Sequence, residues 1–463
     1  MNSPAPFHIP EHFGIDRLHS NLQALVNLGQ TMIRNAPQGA LEPRCAWDDS
    51  GLSLASEHEL PPTDVSLLID IGGSHTKVAL IGLDQKIRIL FDHPNEWFKP
   101  TRFSSKRPIE SFFSQLSQTI SESVALRTHV DTPLRIGLIW SNQLQSHPFH
   151  SETTQGTTGV VSGKDLGSYR KGEWFLDGLR NGEDLGRLFL ASLAENQISC
   201  SVLVIGNDTV CTLFATANAH AGIVVSSGAN CTLVGQGSRG ESTILNSELG
   251  GLLMIPSELL SKGDVLYANT FSHGDVAFEE LCAGKWFAGV VSAHIQALAQ
   301  EPEGDLLKPL SNTLTTKDIQ LTNELISDLL RQPIGSIKEL GSLSYASLSA
   351  LQVLAQALVN RAGMLAGVLC FLSVSNQKLT SLKSITASLD SSLARHLPGF
   401  FTSASKTFTS LLPSGVVGSL ALVKPIDIGP GAELTPPMIG LARALKQYKT
   451  TSQGSYVRAA CAK

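Results

Sequence analysis

VSLLIDIGGSHTKVALIGLD, residues 65–84, is the stretch that decides the fold. An apolar run ends in an acid, Asp70, and two glycines, Gly72 and Gly73, separate it from a second apolar run. Two β-rich runs joined by a short glycine turn predict a hairpin. Glycines let backbone N–H groups approach an anion closely, and an acid at a strand end can hold a metal ion. The stretch therefore predicts either an ordinary hairpin or one that binds the phosphates of a Mg-nucleotide.

Two commoner phosphate-binding loops do not fit this stretch. Both the G-x-x-x-x-G-K-[ST] loop and the G-x-G-x-x-G turn lead into a helix. Here a second strand follows the glycines, and neither spacing is present.

Composition sets broad limits on the class of protein. The 463 residues are enough for two or three domains. The formal net charge of −5 argues against a nucleic-acid partner, which usually selects a basic excess. The seven cysteines include no C-x-x-C pair, and the first residues lack the basic and apolar regions of a signal peptide. We therefore expect reduced thiols and a cytoplasmic location.

Two other features argue against rival classes of protein. Asn360 and Arg361 interrupt the most apolar long run, residues 353–374, which favours a buried amphipathic helix and no membrane contact. His147 and His150 lack further ligands nearby, so we do not expect a zinc site.

The rest of the chain predicts an order of elements. An N-terminal helical pattern over 15–32 precedes a proline-rich connector. The next predicted elements are a helix near 109–124, a strand at 134–140, a long polar loop over 141–173, a helix at 184–194 and a strand at 201–206. The later ones are a mostly helical region over 256–370, strand and loop signals over 384–400, a strand near 416–426, a helix over 436–448 and a disordered end.

Polar residues follow the strand at 201–206. Asp208 stands at the start of a helical stretch, where open α/β sheets collect ligands and chemistry, but an acid there can also simply cap the helix. A second strand, glycine turn and strand unit then spans 222–234. Two such hairpins suggest two related α/β halves that bind phosphates from two sides. Asn246 and Glu248, two residues apart, would share a face on a strand.

Several segments, in order, resemble motifs of the hexokinase family, the sugar kinases of the actin-like ATPase superfamily. The first hairpin resembles its first phosphate motif, with Lys77 where arginine is common, and Asn207-Asp208-Thr209-Val210 resembles its N-D-T-V segment. Five further segments, similar to its second phosphate motif, its N-x-E-W-G segment, its F-E-K helix, its R-A helix and its D-G-S and H-P-x-F segment, are residues 225–231, 246–250, 278–286, 359–362 and 385–400.

The resemblance implies an α/β fold with two actin-like ATPase (ribonuclease H-like) domains, a cleft between them and an added N-terminal helix. The expected divisions are an N-terminal helix and connector, a small domain, a large domain whose C-terminal helix returns to the small one, and a tail. Their ranges are 1–64, 65–207, 208–445 and 446–463.

The resemblance also implies an ATP-dependent hexokinase that phosphorylates the 6-hydroxyl of a hexose such as glucose, with Mg²⁺, acting as a monomer or homodimer. Asp208 would be the general base, and Asp70 would hold Mg²⁺ through water. The implied sugar-binding residues are Ser141, Lys164, Asn207, Asn246, Glu248 and Glu279. The implied nucleotide-binding residues are Asp70, Gly72, Gly73, Ser74, Thr209, Ser227, Gly228, Asp390 and Ser391.

Alternatives exist for single residues. Glu248 could be a surface strand acid and Glu279 a solvated helix acid. Lys77 could be a phosphate ligand, but we expect a solvated strand lysine. Trp140 and Trp286 are expected to be packing residues rather than sugar platforms.

The chain departs from the family pattern at three places. Ser141 is all that matches the S-F-P-C sugar loop, Lys164 is the better of two matches to W-T-K-G-F, and the glycine-rich C-terminal turn is reduced to 429–432. These departures leave the sugar open. They also support the hypothesis of a catalytically silent sugar sensor on the same fold. A second hypothesis is an actin- or chaperone-like ATPase that acts on protein partners, since that class shares the two phosphate hairpins, and a kinase for a different hexose, an amino sugar or another polyol is a closer alternative. Sugar binding without turnover would identify the first, and ATP hydrolysis that is indifferent to sugars the second.

Overall fold

A computed structural model provides the coordinates. The residues it describes are 7–35, 47–48, 65–72, 75–82, 87–94, 107–127, 133–141, 144–151, 153–161, 176–177, 183–236, 242–270, 274–316, 319–334, 336–375, 377, 379–429 and 432–447.

A seven-stranded mixed sheet contains the stretch that opened the sequence analysis. Its order is β4-β3-β2-β6-β10-β8-β7. The bounds are β2 Ser66–Ile71, β3 His75–Ile81, β4 Ile87–Pro94, β6 Leu134–Trp140, β7 Leu144–His150, β8 Gln155–Val161 and β10 Cys200–Gly206. Strands β2, β6, β10 and β8 run parallel, whereas the β2/β3, β3/β4 and β7/β8 pairs are antiparallel. The predicted first hairpin is confirmed.

Helices cover both faces of this sheet because β2 is apolar on both sides. Leu67 and Ile69 pack with helices α3 (Ile109–Arg127) and α4 (Leu185–Glu195). Leu68, which points to the opposite face, packs with helices that include α5 (Asp208–Phe214) and α15 (Pro436–Gln447). The last helix of the chain therefore packs on the sheet formed by its first strands.

A second sheet has six strands in the order β1-β13-β12-β11-β14-β15. Their bounds are β1 Trp47–Asp48, β11 Ala221–Val225, β12 Ala229–Gln236, β13 Ser242–Asn246, β14 Ser384–Ser391 and β15 Val417–Leu422. Strands β11, β14 and β15 are parallel, and the β11/β12 pair forms the second predicted hairpin. Two small two-stranded pairs complete the β-structure, β5 Arg107–Pro108 with β9 Leu176–Asp177 and β16 Ile426–Gly429 with β17 Ala432–Leu434.

The remaining helices mostly pack around the second sheet. The α-helices are α1 Arg17–Ser20, α2 Leu22–Asn35, α6 Leu249–Leu252, α7 Lys262–Ala268, α8 Phe278–Cys282, α9 Gly284–Ala299, α10 Lys308–Thr316, α11 Asn323–Arg331, α12 Tyr345–Val374, α13 Ser392–His396 and α14 Phe400–Leu411. Short 3₁₀ helices span Glu11–Phe13, Ser257–Leu259, Pro302–Leu307, Lys338–Leu340 and Leu379–Ser381.

Helix α12 is the core helix of this part of the molecule. Among the described residues it is the one helix long and apolar enough to cross a membrane, yet 89% of its most apolar window is buried inside the protein. Arg361, at its middle, is 5% exposed and pairs with Asp264. The expected burial of this segment is confirmed. Its first part is amphipathic, with Val353 and Asn360 exposed on one face, whereas residues 361–374 are buried on every side.

One element prediction is wrong. We expected a long loop over 141–173, whereas within 144–161 β7 and β8 form a hairpin that joins the first sheet through β10. The part of this prediction over 162–173 lies outside the described residues. Strand β10 supplies backbone partners that the local sequence does not indicate.

The parallel strands place their carboxyl ends together between the two sheets. Asp70, Ser141 and Asp208 lie at or just after the ends of β2, β6 and β10, and Asp390 lies at the end of β14 in the other sheet. Ligands of open α/β sheets bind at such ends. The four expected domain ranges stay predictions.

Candidate active site

A cavity of about 470 Å³ lies between the two sheets. Its lining residues come from both and are Asp70, Gly72, His75, Lys77, Asp92, Ser141, Asp208, Val224, Ser226, Ser227, Gly228, Ala229, Asn230, Glu279, Lys285, Trp286, Asp390, Thr435 and Pro437.

Asp208 and Asn207 have different roles at the start of α5. The Asn207 side chain caps the helix, since its Oδ1 accepts the Thr209 N–H at 2.9 Å, and its Nδ2 donates to the Trp140 carbonyl at 3.2 Å. Asp208, the first residue of the helix, is half-buried and lines the cavity, while its Oδ1 also accepts the Thr209 N–H at 2.8 Å. Because Asn207 supplies the cap, Asp208 is not needed as the N-cap residue.

A buried amide and carboxylate network in the second sheet borders the cavity. Glu248 Oε1 accepts from Asn246 Nδ2 at 2.7 Å and from Asn230 Nδ2 at 3.1 Å. Asn230 also donates to Asn246 Oδ1. All three side chains are at most 5% exposed, and Asn230 lines the cavity. Glu248 is therefore not a surface strand acid.

Glu248 also has an unusual backbone. Its φ of 51° lies in the left-handed region, which non-glycine residues seldom adopt. Such strain persists where the surroundings determine the conformation, and it is concentrated at functional sites.

Glu279, in α8, also lines the cavity. Its side chain is 2% exposed, and Oε2 accepts the Ala229 N–H at 3.1 Å. A Cβ added to Gly228 would lie 2.7 Å from the same oxygen. The second hairpin thus needs a glycine where Glu279 approaches it, and Glu279 is not a solvated helix acid.

Asp70 has the surroundings of a cation ligand. Burial, with further contributions from the Asp390 and Asp92 carboxylates, raises its pKa to about 6, although Thr435 Oγ1 donates to its Oδ2 at 2.9 Å. Hard divalent cations prefer such carboxylate oxygens. The Asp70 carboxylate therefore fits the role of a Mg²⁺ ligand.

Asp390 faces the cavity from the second sheet. Its Oδ1 accepts from Arg395 Nη1 at 2.7 Å, and burial raises its pKa even though Arg395 opposes the shift. Burial destabilises the ionised form of this carboxylate, so added positive charge nearby would stabilise it.

Lys77 is not the solvated strand lysine that we expected. Its side chain is 11% exposed, and Nζ lies 3.1 Å from Asp92 Oδ2. The same atom donates to the Glu433 carbonyl at 3.1 Å.

Lys285 and Trp286 lie at the exposed side of the cavity. Lys285 Nζ lies 4.3 Å from the centroid of the Trp286 ring, in a cation–π contact. Trp286 packs against the core as we expected but also lines the cavity, whereas Trp140 is fully buried.

The predicted residues fall into four groups. Those that line the cavity are Asp70, Gly72, Ser141, Asp208, Ser227, Gly228, Glu279 and Asp390. Asn207, Asn246 and Glu248 lie directly behind it, as does Thr209, whose buried hydroxyl donates to Asn207 Oδ1 at 2.6 Å. Ser391 caps α13 by accepting the Ala394 N–H at 3.1 Å. Gly73, Ser74 and Lys164 are outside the described residues.

The prediction missed several residues at the cavity. Asn230 lies within the second hairpin motif, and its place two residues after Gly228 could have suggested it. Asp92 could have been found from pairing, since it lies directly across from Lys77 on the next strand. Thr435 has no comparable local signal.

Comparison with known proteins identifies structures that share this fold. The chain matches no protein-family model and no curated protein sequence. Among solved structures it is similar to a hexokinase from Schistosoma mansoni in complex with glucose, at 15% identity and a TM-score of 0.57, over 92% of this chain and 99% of that one. It is also similar to another hexokinase, at 15% identity and a TM-score of 0.60, over 95% of this chain and 97% of that one. The chain therefore has the hexokinase fold, and the predicted fold class, α/β with two actin-like ATPase domains, is confirmed.

Proposed function

We propose that the protein is an ATP-dependent sugar kinase that phosphorylates the 6-hydroxyl of a hexose such as glucose. The observation that carries the proposal is the half-buried Asp208 carboxylate, which lines the cavity while Asn207 caps the helix. The resemblance to the solved hexokinase structures supports the choice of reaction.

The sugar would bind between Asp208 and the opposite wall. Asn230, Asn246, Glu248 and Glu279 offer fixed amide and carboxylate groups of the kind that pair with sugar hydroxyls. A sugar that lacks or inverts a hydroxyl would leave such buried groups unpaired. We therefore expect discrimination between hexoses.

Asp208 would act as the general base. As the sugar oxygen bonds to the γ-phosphorus, the bond from that phosphorus to the bridging oxygen breaks and ADP leaves. The hydroxyl proton passes to the Asp208 carboxylate. Phosphoryl transfer needs little covalent help, so positioning and charge neutralisation supply most of the acceleration.

The donor phosphates would lie against the two hairpins. Gly72, Ser227 and Gly228 line the cavity there, and Asp70 would hold Mg²⁺ through water. When bound, Mg²⁺ would neutralise charge on the phosphates. Closure of the two sides on the sugar would exclude water, which competes for the phosphoryl group.

The test is ADP release from Mg-ATP across a panel of hexoses, with Asp208→Asn beside the wild type. Loss of a general base lowers the rate roughly 10²–10⁴-fold. The matched control is Asp184→Asn. Asp184 caps α4 by accepting the Gly186 and Arg187 N–H groups, and asparagine caps a helix as well as aspartate does. We expect this control to keep its activity.

Three outcomes separate the hypotheses. Sugar-dependent release that Asp208→Asn abolishes supports the kinase, and the panel identifies its sugar. Sugar-induced stabilisation without release supports a silent sensor. ATP hydrolysis that is indifferent to sugars supports an ATPase of another class.

A further inference from the structure

We propose that Asp92 is a positioning residue, which holds the Lys77 ammonium at the phosphate side of the cavity. The inference rests on the proposed function for the identity of the nucleotide. Asp92 would act on the nucleotide only through Lys77 and would not contact the substrate itself.

Strand register places three charged side chains in a row. Asp70 is opposite Lys77 across β2 and β3, and Lys77 is opposite Asp92 across β3 and β4. Residues directly opposite each other share a face of the sheet. All three line the cavity, so the row presents a negative, a positive and a negative group to it.

Two acceptors fix the direction of the ammonium. Lys77 Nζ lies 3.1 Å from Asp92 Oδ2 and 3.1 Å from the Glu433 carbonyl oxygen. The Lys77 side chain is 11% exposed and Asp92 35% exposed, so the pair is partly shielded from water. An ammonium has three N–H donors, and these two acceptors use two of them. The third is available for a phosphate oxygen.

The charge of the lining favours a role for this lysine. Among the residues that the structure describes, the lining has five carboxylates and two lysines, Lys77 and Lys285. Lys285 is exposed and lies over the Trp286 ring, whereas Lys77 is held within the wall. A polyphosphate that enters an acidic cavity needs positive charge beside it, from a metal ion and from a fixed cation.

Asp92 would act by keeping Lys77 away from Asp70. Lysine is a point charge on a flexible stem, so it turns to the nearest remaining acid when one partner is lost. In Asp92→Asn that acid is Asp70, the opposite neighbour on β2. Lys77 would then neutralise the carboxylate proposed to hold Mg²⁺, and Mg-nucleotide would bind more weakly.

The experiment is a double-mutant cycle read by calorimetric binding of Mg-ADP. We expect Asp92→Asn and Lys77→Met each to raise the Kd by about tenfold, the typical loss of one charged hydrogen bond. The double variant should bind no more weakly than Lys77→Met alone, because Asp92 acts only through Lys77. Asp92→Asn should also need more Mg²⁺ for half-saturation, and Asp92→Glu should recover part of the affinity.

Two controls separate positioning from a general structural effect. Asp305→Asn removes an exposed ion pair with Lys308 and should leave the Kd unchanged. Sugar-induced thermal stabilisation should be the same in the wild type and in Asp92→Asn. Additive losses in the double variant, an unchanged Kd in Asp92→Asn, or an equal loss of sugar binding would each overturn the inference.

The proposed function can fail separately. If the wild type binds Mg-ADP but releases none from Mg-ATP with any sugar, the kinase proposal fails, and the Kd pattern still decides the role of Asp92. If the wild type does not bind Mg-ADP, both the kinase proposal and the inference about Asp92 fail.

Discussion

At the residue scale, Gly228 tests how closely the second hairpin must approach Glu279. A Cβ at this position would lie 2.7 Å from Glu279 Oε2, which accepts the Ala229 N–H. We expect Gly228→Ala to displace that carboxylate and to weaken sugar binding by about tenfold or more, since a hydrogen bond to a charged group contributes about 1.5–3 kcal/mol. Calorimetric titration with the preferred sugar measures the effect.

Gly251→Ala is the matched control for this change. Its added Cβ would lie 3.4 Å from the other oxygen of Glu279, an ordinary contact. It should bind sugar like the wild type. Equal losses in the two variants would show that the hairpin does not depend on the position of Glu279.

At the scale of elements, α15 holds the helix that carries Asp208. Gly440 allows the close approach, because a Cβ there would lie 1.7 Å from the Cys211 carbonyl oxygen in α5. Arg443 Nη1 donates to the Ala215 carbonyl at 2.6 Å, at the other end of α5. The two contacts fix α5 against the first sheet.

We therefore expect Gly440→Ala to lower the free energy of unfolding by about 1–3 kcal/mol and to reduce kcat, because the backbone of α5 must shift. Chemical denaturation and the steady-state rate measure the two effects. Gly289→Ala, on an exposed part of α9, is the control. Its Cβ would meet the Tyr267 ring at 3.1 Å rather than backbone, and a ring can move. A kcat loss as large in Gly289→Ala would contradict the explanation.

The elements also show which parts of the fold local sequence can predict. Buried runs such as β2 and β6 were predicted because their side chains alone define them. The hairpin of β7 and β8 was not, since its polar, glycine-rich sequence is stabilised by β10. Gly156, with φ of 144°, passes so close to Leu203 that a Cβ would lie 1.8 Å from its carbonyl oxygen. A glycine that indicates a loop locally is here a point of close strand contact.

At the scale of the whole molecule, the same limit applies to the site. Site residues within a recognisable local segment can be predicted, whereas contacts between distant parts of the chain cannot. Asp208, Gly228 and Glu279 could be predicted because each stands in a recognisable local segment. Thr435 reaches Asp70 across 365 positions of the chain, so only the folded structure brings them together.

A buried polar cluster away from the cavity connects helices α7, α9 and α12. Arg361 of α12 forms two hydrogen bonds to Asp264, at 2.7 and 2.8 Å. His294 of α9 contacts Ser261 Oγ through Nε2 at 2.8 Å and the Val290 carbonyl through Nδ1 at 2.7 Å. A carbonyl can only accept, so Nδ1 carries the proton of the neutral ring.

This cluster also joins the N-terminal segment to the second sheet and its helices. The Phe13 ring meets the His294 ring edge-on, with centroids 5.8 Å apart. Arg17 Nη1 donates to the Leu260 carbonyl at 3.0 Å, next to Ser261. These contacts place the N-terminal segment directly beside the cluster.

The pKa values in the cluster set the response to acid. Burial lowers the pKa of His294 from 6.5 to about 4. Burial alone would raise the pKa of Asp264, but the charges of Arg361 and His294 and the hydrogen bonds from Arg361 and Ser261 together outweigh it and lower that pKa to about 2. The Asp264 contribution to stability is thus lost only as the pH falls from 3.8 towards 2.

His294 contributes at milder pH. Between pH 6.5 and about 4 the unfolded chain binds a proton at this imidazole and the folded protein does not, so stability falls as the pH falls. Asp70 opposes this. Its folded pKa, raised from 3.8 to about 6, means that the folded protein binds the proton first, which adds stability over nearly the same range. The two effects partly cancel in the wild type, and only a difference between variants separates them.

We therefore expect His294→Gln to be less stable than the wild type at pH 7, because the amide cannot reproduce both contacts of the ring. The deficit should shrink by roughly 1–3 kcal/mol at pH 4.5, since the variant has no buried imidazole to protonate. Urea denaturation at the two pH values measures the free energies of unfolding. His19→Gln, on the exposed surface, controls for replacing an imidazole by an amide. A deficit that is equal at pH 7 and pH 4.5 would mean that protonation of His294 does not lower the stability of the fold in this range.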